Sequence, residues 1–336
     1  MSTSEIKHKA LQLGYLACRV IPANIFDEFS QRLDERVELF PESKELYKPL
    51  YSLARSQEGA QSVIVCTKRY NKYKTPDSLS GLIGKSYLFD ARVDYSPEHR
   101  ERAEFDAFLK TLGIGILKGQ IPARMAASKA GLGKFGRNNF IYDANHGSYI
   151  SVESWVIDMK LEYDSVEEAA YLDTCNDGCN RCINSCPTNA MPGSLSMDRG
   201  RCVNQLTTWA RDIPDEDTME QLGQWIYGCD VCQDVCPANK YKFTETEEFP
   251  LLAEFVEHLS PERLLEMDED TYVNIINPRF WYAGEDGAWL WRCNALRSMI
   301  NSGDEKYHGL IKQCCAHEDE RVKKTAQWGC RVLGIV

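Results

Sequence analysis

The cysteines of this chain are concentrated in one segment, where their spacing could bind iron. Eight of the 14 cysteines lie between Cys175 and Cys236. Two runs, ending at Cys186 and at Cys236, each finish in the pattern C-x2-C-x3-C-P. Two-residue gaps let consecutive thiolates wrap one four-iron cubane, whereas the last cysteine of a run, followed by proline, points toward another. The segment therefore predicts two 4Fe–4S clusters.

The same spacing predicts which cysteine belongs to which cluster. The last cysteine of each run ligates the cluster of the other run, here called the crossover rule. One cluster is therefore expected to be held by Cys175, Cys179, Cys182 and Cys236. The second is expected to be held by Cys186, Cys202, Cys229 and Cys232. The gap between Cys175 and Cys179 is one residue longer than the pattern, and Gly178 could absorb the extra residue. Paired C-x2-C motifs also occur in structural zinc sites, which are the alternative.

Composition is typical of a soluble folded protein with two or three domains. Of 336 residues, 43% are hydrophobic and 26% are charged, ordinary proportions for globular proteins. The net charge of -11 is unfavourable for a broad nucleic-acid surface, because phosphate contacts need clustered Lys and Arg. No apolar run approaches the roughly 18 residues of a membrane helix, and the N-terminus lacks an apolar signal core. We expect a cytoplasmic protein in a reducing compartment, without a membrane partner.

The first 160 residues mix helices and strands. Ser2 with Glu5 fits a capping box at the first helix. Apolar periodicity predicts helices over residues 2–14, 24–39, 97–112 and 121–130. Short apolar runs predict strands over residues 16–20, 62–66, 139–142 and 149–159. This mixture indicates an α/β or α+β domain around one sheet.

The C-terminal part is predicted to be helical. Apolar residues, Val332 among them, recur at helical spacing over residues 288–301, 307–317 and 321–334. Stacked helices of this kind resemble HEAT repeats. The cysteines outside the iron-binding segment are more typical of small core residues than of ligands, and they are Cys18, Cys66, Cys293, Cys314, Cys315 and Cys330.

Residues Gly131 to Gly136 match G-x-G-x-x-G. As a dinucleotide fingerprint this motif should follow a strand and open a helix, whose N-terminus binds the phosphates. Here a predicted helix precedes the motif and a strand follows it. We therefore interpret it as a helix C-cap followed by a tight turn, although three glycines also let a large planar ligand approach the backbone.

Together these motifs resemble the epoxyqueuosine reductase family, and the resemblance covers most of the chain. It rests on the turn from Lys129 to Gly136, on Gly147-Ser148 before a strand, on both cysteine runs and on the segment from Arg292 to Leu296. The cysteine runs alone would be generic to ferredoxins, whereas the combination is specific. The family is related to reductive dehalogenases.

The resemblance implies an α+β protein that reduces an epoxide on a tRNA precursor. It implies a base-off cobalamin next to two 4Fe–4S clusters, with electrons from a donor such as ferredoxin or flavodoxin. Three parts are expected: an α/β corrinoid-binding-type domain over 1–165, a ferredoxin-like domain with both clusters over 166–245, and HEAT-like helices over 246–336. The residues expected to line the corrin are Gly131, Gly133, Gly136, Ser148 and Tyr149.

The chain departs from the family where the proton donor is expected. Family members carry an Asp shortly before the helix that leads into the glycine turn, and residues 118–122 here contain no carboxylate. The pair Asp94-Tyr95 resembles an Asp-Tyr-His triplet of the family, with Ser96 in place of His. Tyr95, beside Asp94, is the substitute candidate for a catalytic proton donor, or else a half-buried packing residue. These departures and the acidic charge weaken the tRNA assignment.

The sequence is consistent with three functions. The favoured one is a cobalamin-dependent iron–sulfur reductase whose substrate is left open. The alternative is a non-catalytic electron-transfer protein that reduces or reactivates a corrinoid on a partner, as the missing Asp would suggest. The third is a ferredoxin-type module whose N-terminal domain binds flavin or no cofactor.

Overall fold

A computed structural model describes residues 3–55, 57–90, 92–193 and 195–335. The predicted helices and strands of the N-terminal part are confirmed, with shifted ends, while Ser2 of the capping box lies outside the described residues. The elements here are α1 Thr3–Gln12, β1 Ala17–Pro22, α2 Asp27–Leu39, α3 Lys44–Tyr47, β2 Ser62–Arg69, α4 Lys85–Leu88, α5 Pro97–Thr111, α6 Ala123–Lys129, β3 Lys134–Phe135, β4 Ile141–Tyr142 and β5 Ile150–Ile157.

The N-terminal sheet is antiparallel throughout. Its order is β1–β2–β5, and Cys18 lies opposite Cys66 in the register of the first pair. Of the two classes predicted for this part, α/β and α+β, the antiparallel arrangement is α+β, so the α/β class given to the corrinoid-binding-type domain is not what the sheet shows. Strands β3 and β4 form a separate two-stranded sheet, so the strands do not share the one sheet expected. Both Cys18 and Cys66 are buried, as predicted for core residues.

Both faces of the three-stranded sheet are covered, which explains why β2 is buried along almost its whole length. On one face, α1 and α5 contribute Ile6, Phe105 and Leu109 to a core that also contains Trp155. On the other face, α6 packs against the sheet through residues such as Met125. The sheet therefore holds α6, and the glycine turn after it, in a fixed position.

The cysteine segment is built from short helices and loops. Its elements are α7 Asp173–Asn176, α8 Arg181–Asn184, α9 Val203–Thr208, α10 Glu216–Gln221 and α11 Val231–Asp234, followed by a 3-10 turn at Pro237–Asn239. Helix α8 packs against α11. This contact brings the two cysteine runs together.

The C-terminal part is helical, as predicted. Its elements are α12 Leu252–Val256, α13 Pro261–Glu266, α14 Glu269–Thr271, a π-helical turn Tyr272–Ile276, a 3-10 turn Trp281–Ala283, α15 Ala288–Ser302, α16 His308–Cys314 and α17 Glu320–Leu333. Helix α15 packs on α13 and α17, and α16 packs on α17. Val332 is 58% exposed, so its predicted core position is wrong because it lies on the outer face of the last helix.

The remaining C-terminal cysteines divide into two kinds. Cys293 and Cys314 are buried, as predicted for small core residues. Cys315 and Cys330 are only partly buried, and their sulfur atoms lie 3.4 Å apart. The core interpretation is therefore confirmed for the first two and is incomplete for the second two.

One hydrophobic core joins distant parts of the chain. Tyr73 and Phe89 pack in the same cluster as Tyr227 and Trp291, and the backbone N–H of Gly84 donates to the Tyr227 carbonyl at 2.8 Å. Segment 70–93 thus shares a core with the C-terminal helices, and the three-part division of the chain stays a prediction. Within the described ranges, we find no helix with the length and apolarity needed to span a membrane.

Candidate functional site

Four of the eight predicted iron ligands line one small cavity, here called the cysteine cavity. Cys175, Cys179 and Cys182 reach it from α7, α8 and the loop between them. Cys236 reaches it from the end of the second run. The structure thus brings together the residues that the crossover rule groups in one set. Gly178 has φ +87°, the left-handed conformation that the longer gap was expected to need.

The other predicted ligands influence one another electrostatically. Burial raises the pKa of the Cys229 thiol, and the charges of Cys202 and Cys186 add to this increase. Burial likewise raises the pKa of Cys232, with contributions from Cys229 and Cys202. Thiols in such surroundings stay protonated until a metal displaces the proton. Among the residues described, no three His, Cys, Asp or Glu side chains meet as they would around a single ion.

Neighbouring donors point at one of these sulfurs. The backbone N–H of Ala190 donates to Cys186 Sγ at 3.3 Å, and the Thr188 hydroxyl lies 3.7 Å from the same sulfur. Hydrogen bonds to cysteine sulfur stabilise the thiolate and raise the reduction potential of a cluster that it ligates. The loop after the first run is therefore suited to a ligand role for Cys186.

The glycine turn packs against β4. A Cβ on Gly133 would lie 2.6 Å from Ile141 Cγ2 and 2.8 Å from the Tyr142 carbonyl, and one on Gly136 would lie 2.6 Å from the Tyr142 ring. Gly131 follows α6 with φ +67°, which confirms the C-cap and turn. Gly136 lines the cysteine cavity. The assignment of these glycines to a corrin stays a prediction.

Ser148 and Tyr149 connect the sheet to the second cysteine run. The Ser148 hydroxyl accepts hydrogen bonds from Gln233 and Asn239, each at 2.8 Å, and the Tyr149 hydroxyl donates to Asp234 at 3.2 Å. Both residues are buried. The structure places them between β5 and α11, where these contacts fix the cysteine segment on the sheet.

A larger cavity of about 460 Å³, here called the arginine cavity, opens between the N-terminal part and the cysteine segment. Its volume is in the range of small-molecule sites. Its walls are lined by Phe29, Arg32, Arg36, Tyr47, Leu50, Leu53, Gln120, Ile121, Pro122, Ala123, Arg124, Met125, Phe135, Asn139, Leu195, Met197, Arg199 and Tyr282. A cavity of about 430 Å³, the linking cavity, shares three residues with it and shares Arg137 and Cys175 with the cysteine cavity.

Positive charge is concentrated in the arginine cavity. Arg32 pairs with Glu28 at 2.6 Å, but the hydrogen-bond partners of the other arginines are neutral. Arg36 donates to the Asn139 side chain at 3.0 Å, and Arg124, open to the cavity, donates to the Asn139 carbonyl at 2.6 Å. Arg199 donates to Gln205 at 2.7 Å. Burial lowers the pKa of Arg36 and of Arg199, yet guanidinium groups stay protonated in proteins.

Within the part of the chain that the structure describes, two buried donors in the arginine cavity have no hydrogen-bond partner, Arg199 Nε and Asn139 Nδ2. Buried donors left unsatisfied are costly, so their presence in a cavity wall indicates a ligand that brings acceptors. A corrinoid has amide carbonyls around a flat apolar ring, and the arginine cavity offers apolar walls at Phe29, Leu50 and Leu53. These residues fit such a cofactor.

The structure does not bring the predicted catalytic pair to this cavity. The Asp94 side chain is 96% exposed and lies 3.5 Å from His99. The Tyr95 hydroxyl accepts from Arg279, on the edge of the C-terminal core. Gln120, from the segment where the resemblance led us to expect an Asp, does line the arginine cavity.

Sequence reasoning missed the residues that dominate the arginine cavity. Arg36, Arg124, Asn139 and Tyr282 come from separate segments, and each is an ordinary surface residue when seen in its local sequence. The one available signal was the spacing of Arg32 and Arg36, four positions apart on a predicted helix, which places both on one face.

Comparison with known proteins supports the iron–sulfur interpretation of the cysteine segment. Residues 174–239 match the family model for a 4Fe-4S double cluster binding domain. Epoxyqueuosine reductase of Staphylococcus aureus is 30% identical, over 99% of this chain and 90% of that protein. The solved epoxyqueuosine reductase of Bacillus subtilis has TM-score 0.76 and 22% identity, covering 98% of this chain and 90% of that one.

A further solved epoxyqueuosine reductase, bound to an epoxyqueuosine-modified tRNA-Tyr stem loop, has TM-score 0.75 and 22% identity over the same shares of both chains. The two solved structures show a shared fold. The relative from Staphylococcus aureus, similar over nearly the whole length of both chains, shows the family. The chain therefore belongs to the epoxyqueuosine reductases, a family of oxidoreductases, and carries a 4Fe–4S binding domain.

Proposed function

We propose that this protein is a corrinoid-dependent reductase that removes the epoxide oxygen of epoxyqueuosine in tRNA, with two 4Fe–4S clusters held by the eight cysteines of segment 175–236. The observation that carries the proposal is the continuity of the cavities. The arginine cavity, sized for a small molecule, meets the cysteine cavity through the wall residues of the linking cavity. A cofactor there would lie beside cluster ligands, as electron transfer requires.

The acidic net charge does not oppose an RNA substrate. Arg36, Arg124 and Arg199 place positive charge in one cavity, with neutral hydrogen-bond partners. A cleft lined by one sign of charge attracts ligands of the other sign whatever the net charge of the protein. The local arrangement therefore supports the tRNA substrate that the overall composition disfavoured.

The residues that would hold the corrinoid are those with unused donors. Asn139 Nδ2 and Arg199 Nε would donate to its amide carbonyls, and Arg36 would attract its phosphodiester. When bound, the clusters and the corrinoid would supply low-potential electrons, delivered by a donor such as ferredoxin or flavodoxin. Apolar wall residues, including Ile121 and Leu195, would exclude water from the reacting groups.

Removal of an epoxide oxygen as water requires two electrons and two protons, so the cavity needs a proton donor. The two phenols in its wall differ. The Tyr47 hydroxyl already donates to the Met197 carbonyl and accepts from the Arg199 backbone. The Tyr282 hydroxyl accepts from Arg92 at 2.6 Å, which leaves its own proton free. Burial raises the pKa of Tyr282, so it is protonated at neutral pH and can act as a general acid.

The proposal is tested in two steps with protein purified without oxygen and reconstituted with iron and sulfide. Cob(II)alamin is first titrated in while the cobalt EPR signal is recorded, and a base-off signal that saturates at one equivalent is expected. The loaded protein is then given a chemical reductant and an epoxyqueuosine-containing anticodon stem loop. Mass spectrometry of the digested RNA should show a nucleoside lighter by one oxygen atom.

Each step has an outcome that contradicts the proposal. An unchanged cobalt spectrum, with iron fully loaded, would contradict the corrinoid site and favour an electron-transfer protein. A base-off signal without any change in the RNA would contradict the substrate. A Tyr282→Phe variant should keep the EPR signal and lose most turnover, and full turnover in that variant would remove Tyr282 as the proton donor.

A further inference from the structure

A group of aromatic rings and one guanidinium, here called the aromatic ledge, adjoins the arginine cavity through Tyr282. It consists of Trp209, Trp281, Tyr282 and Arg92. Trp281 stacks on Tyr282 with ring centroids 4.0 Å apart, and Tyr282 meets Trp209 at 5.5 Å. The Arg92 guanidinium lies 4.7 Å from the centre of the Trp281 ring and 5.2 Å from that of Tyr282. The four side chains form one continuous surface.

The aromatic ledge is exposed although its rings are large. Trp209 is 47% exposed and Trp281 is 42% exposed, whereas tryptophan is highly buried on average. They come from separate segments, since Trp209 follows α9 and Trp281 begins the 3-10 turn before α15. Adjacent exposed aromatic residues from unconnected segments are typical of a binding surface.

The aromatic ledge is continuous with the arginine cavity. Tyr282 belongs to both, and Arg199 lines the cavity while its guanidinium lies 5.9 Å from the Trp209 ring. Arg92 is paired with Asp90 at 2.6 Å, so its charge is largely balanced and its flat face is its main contribution to the surface. The aromatic ledge and the arginine cavity therefore adjoin each other through Tyr282 and Arg199.

We propose that the aromatic ledge stacks an unpaired nucleobase next to the nucleotide that enters the arginine cavity. This inference rests on the proposed function, since it assumes an RNA substrate. An enzyme that acts on one base of a loop must splay that base out, which leaves its neighbour without a stacking partner. Aromatic rings and arginine planes replace that stacking in proteins that bind single strands, and they do so with little dependence on base identity. The ledge therefore positions the loop rather than reading its sequence.

The test measures RNA binding separately from reduction. Anaerobic, iron-loaded protein is titrated into a fluorescently labelled anticodon stem loop that carries guanine at the reacting position, and anisotropy gives Kd. Trp281→Ala and Trp209→Ala should each weaken binding by roughly 5- to 100-fold, the usual effect of removing one base–aromatic stack. Trp281→Phe should retain most of the affinity because it keeps a ring.

The matched control is Tyr241→Ala. Tyr241 is an exposed aromatic residue with Lys240 4.8 Å from its ring centre, outside the arginine cavity. It should bind RNA as the wild type does. Iron content and unfolding midpoint of every variant confirm that a loss of affinity is not a loss of fold.

A double-mutant cycle identifies the stacked base. Two stem loops are compared, one lacking the base before the reacting nucleotide and one lacking the base after it, and one of the two should bind wild-type protein as weakly as the intact RNA binds Trp281→Ala. The two losses should not add, because both remove the same contact. Additive losses at both positions would show that no flanking base stacks on Trp281.

The outcomes separate this inference from the proposed function. Wild-type affinity in both tryptophan variants would overturn the ledge while leaving RNA reduction intact. Weaker RNA binding in the variants, without any reduction by wild-type protein, would keep the ledge and overturn the reaction. Absence of RNA binding by the wild type would overturn both, and the exposed rings would then be assigned to a protein partner.

Discussion

At the scale of single residues, the two cavities are built differently, because most cysteines of the one lie close together in sequence whereas the arginines of the other come from distant segments. The cysteine runs define their ligands within a few positions, and the structure brings Cys175 and Cys236 to one cavity as the crossover rule expects. The arginine cavity draws Arg36 and Arg199 from segments far apart in sequence. No local pattern indicates that such residues meet, and the pair Asp94-Tyr95, predicted from its resemblance to a family triplet, lies outside the arginine cavity.

Asn139 provides a residue-scale prediction. Asn139→Asp keeps the oxygen that accepts from Arg36 and replaces the unpartnered amide nitrogen by oxygen, and Asp tolerates the positive φ of 64° at this position. Loss of one donor to the cofactor should weaken corrinoid binding by roughly 3- to 10-fold. An optical titration with cob(II)alamin measures Kd. Asn145→Asp, in the exposed turn after β4, should bind as the wild type does, and equal affinity in both variants would argue against a contact at Asn139.

At the scale of elements, helices and strands were predictable because their periodicity is local, as α5 and β2 illustrate. The order of a helix, the glycine motif and a strand also predicted correctly that the motif ends a helix and forms a turn. The pairing of the strands could not be predicted in this way. An antiparallel β1–β2–β5 sheet and a parallel sheet contain similar apolar strands, and strand direction depends on connections that the periodicity of a strand does not encode.

The glycine turn gives an element-scale prediction. Gly133→Ala would place a methyl group 2.6 Å from Ile141 Cγ2 and 2.8 Å from a backbone carbonyl, so the turn or β4 must move. Overpacking of this kind costs about 1–3 kcal/mol of unfolding free energy, measured from urea unfolding under anaerobic conditions. Gly309→Ala is the control, because nothing beyond its chain neighbours and its own helix backbone lies within 4 Å of the added carbon and alanine favours a helix. A lower midpoint for Gly309→Ala than for Gly133→Ala would contradict the packing argument.

At the scale of the whole molecule, the hydrophobic core crosses the domain limits suggested by the resemblance. Segment 70–93 packs with the C-terminal helices, while Ser148 binds Gln233 and Asn239 from the second cysteine run. Contacts of this kind between distant segments determine the architecture. They cannot be predicted from motifs taken one after another along the sequence. The cysteine segment is held from both sides by the rest of the fold.

The predicted ligand sets give a prediction about total iron. Cys232→Ala removes a ligand of one cubane and leaves the other intact, so roughly half of about eight irons should remain. Colorimetric iron analysis and the EPR spectrum of the reduced protein measure the loss. Cys315→Ala, partly exposed in the C-terminal helices, should keep full iron. Full iron in Cys232→Ala would contradict its assignment as a ligand.

The cysteine cavity has a consequence for the unfolded chain. Cys175 and Cys236 lie roughly 60 positions apart, and a cross-link over that distance removes loop entropy worth about 4 kcal/mol in the chain-entropy description. A cubane ligated by both cysteines would keep this loop closed in the unfolded chain, as other metal sites that close long loops do. Oxidative loss of that iron would release the loop to proteases. Damage to the cluster would then shorten the lifetime of the whole protein.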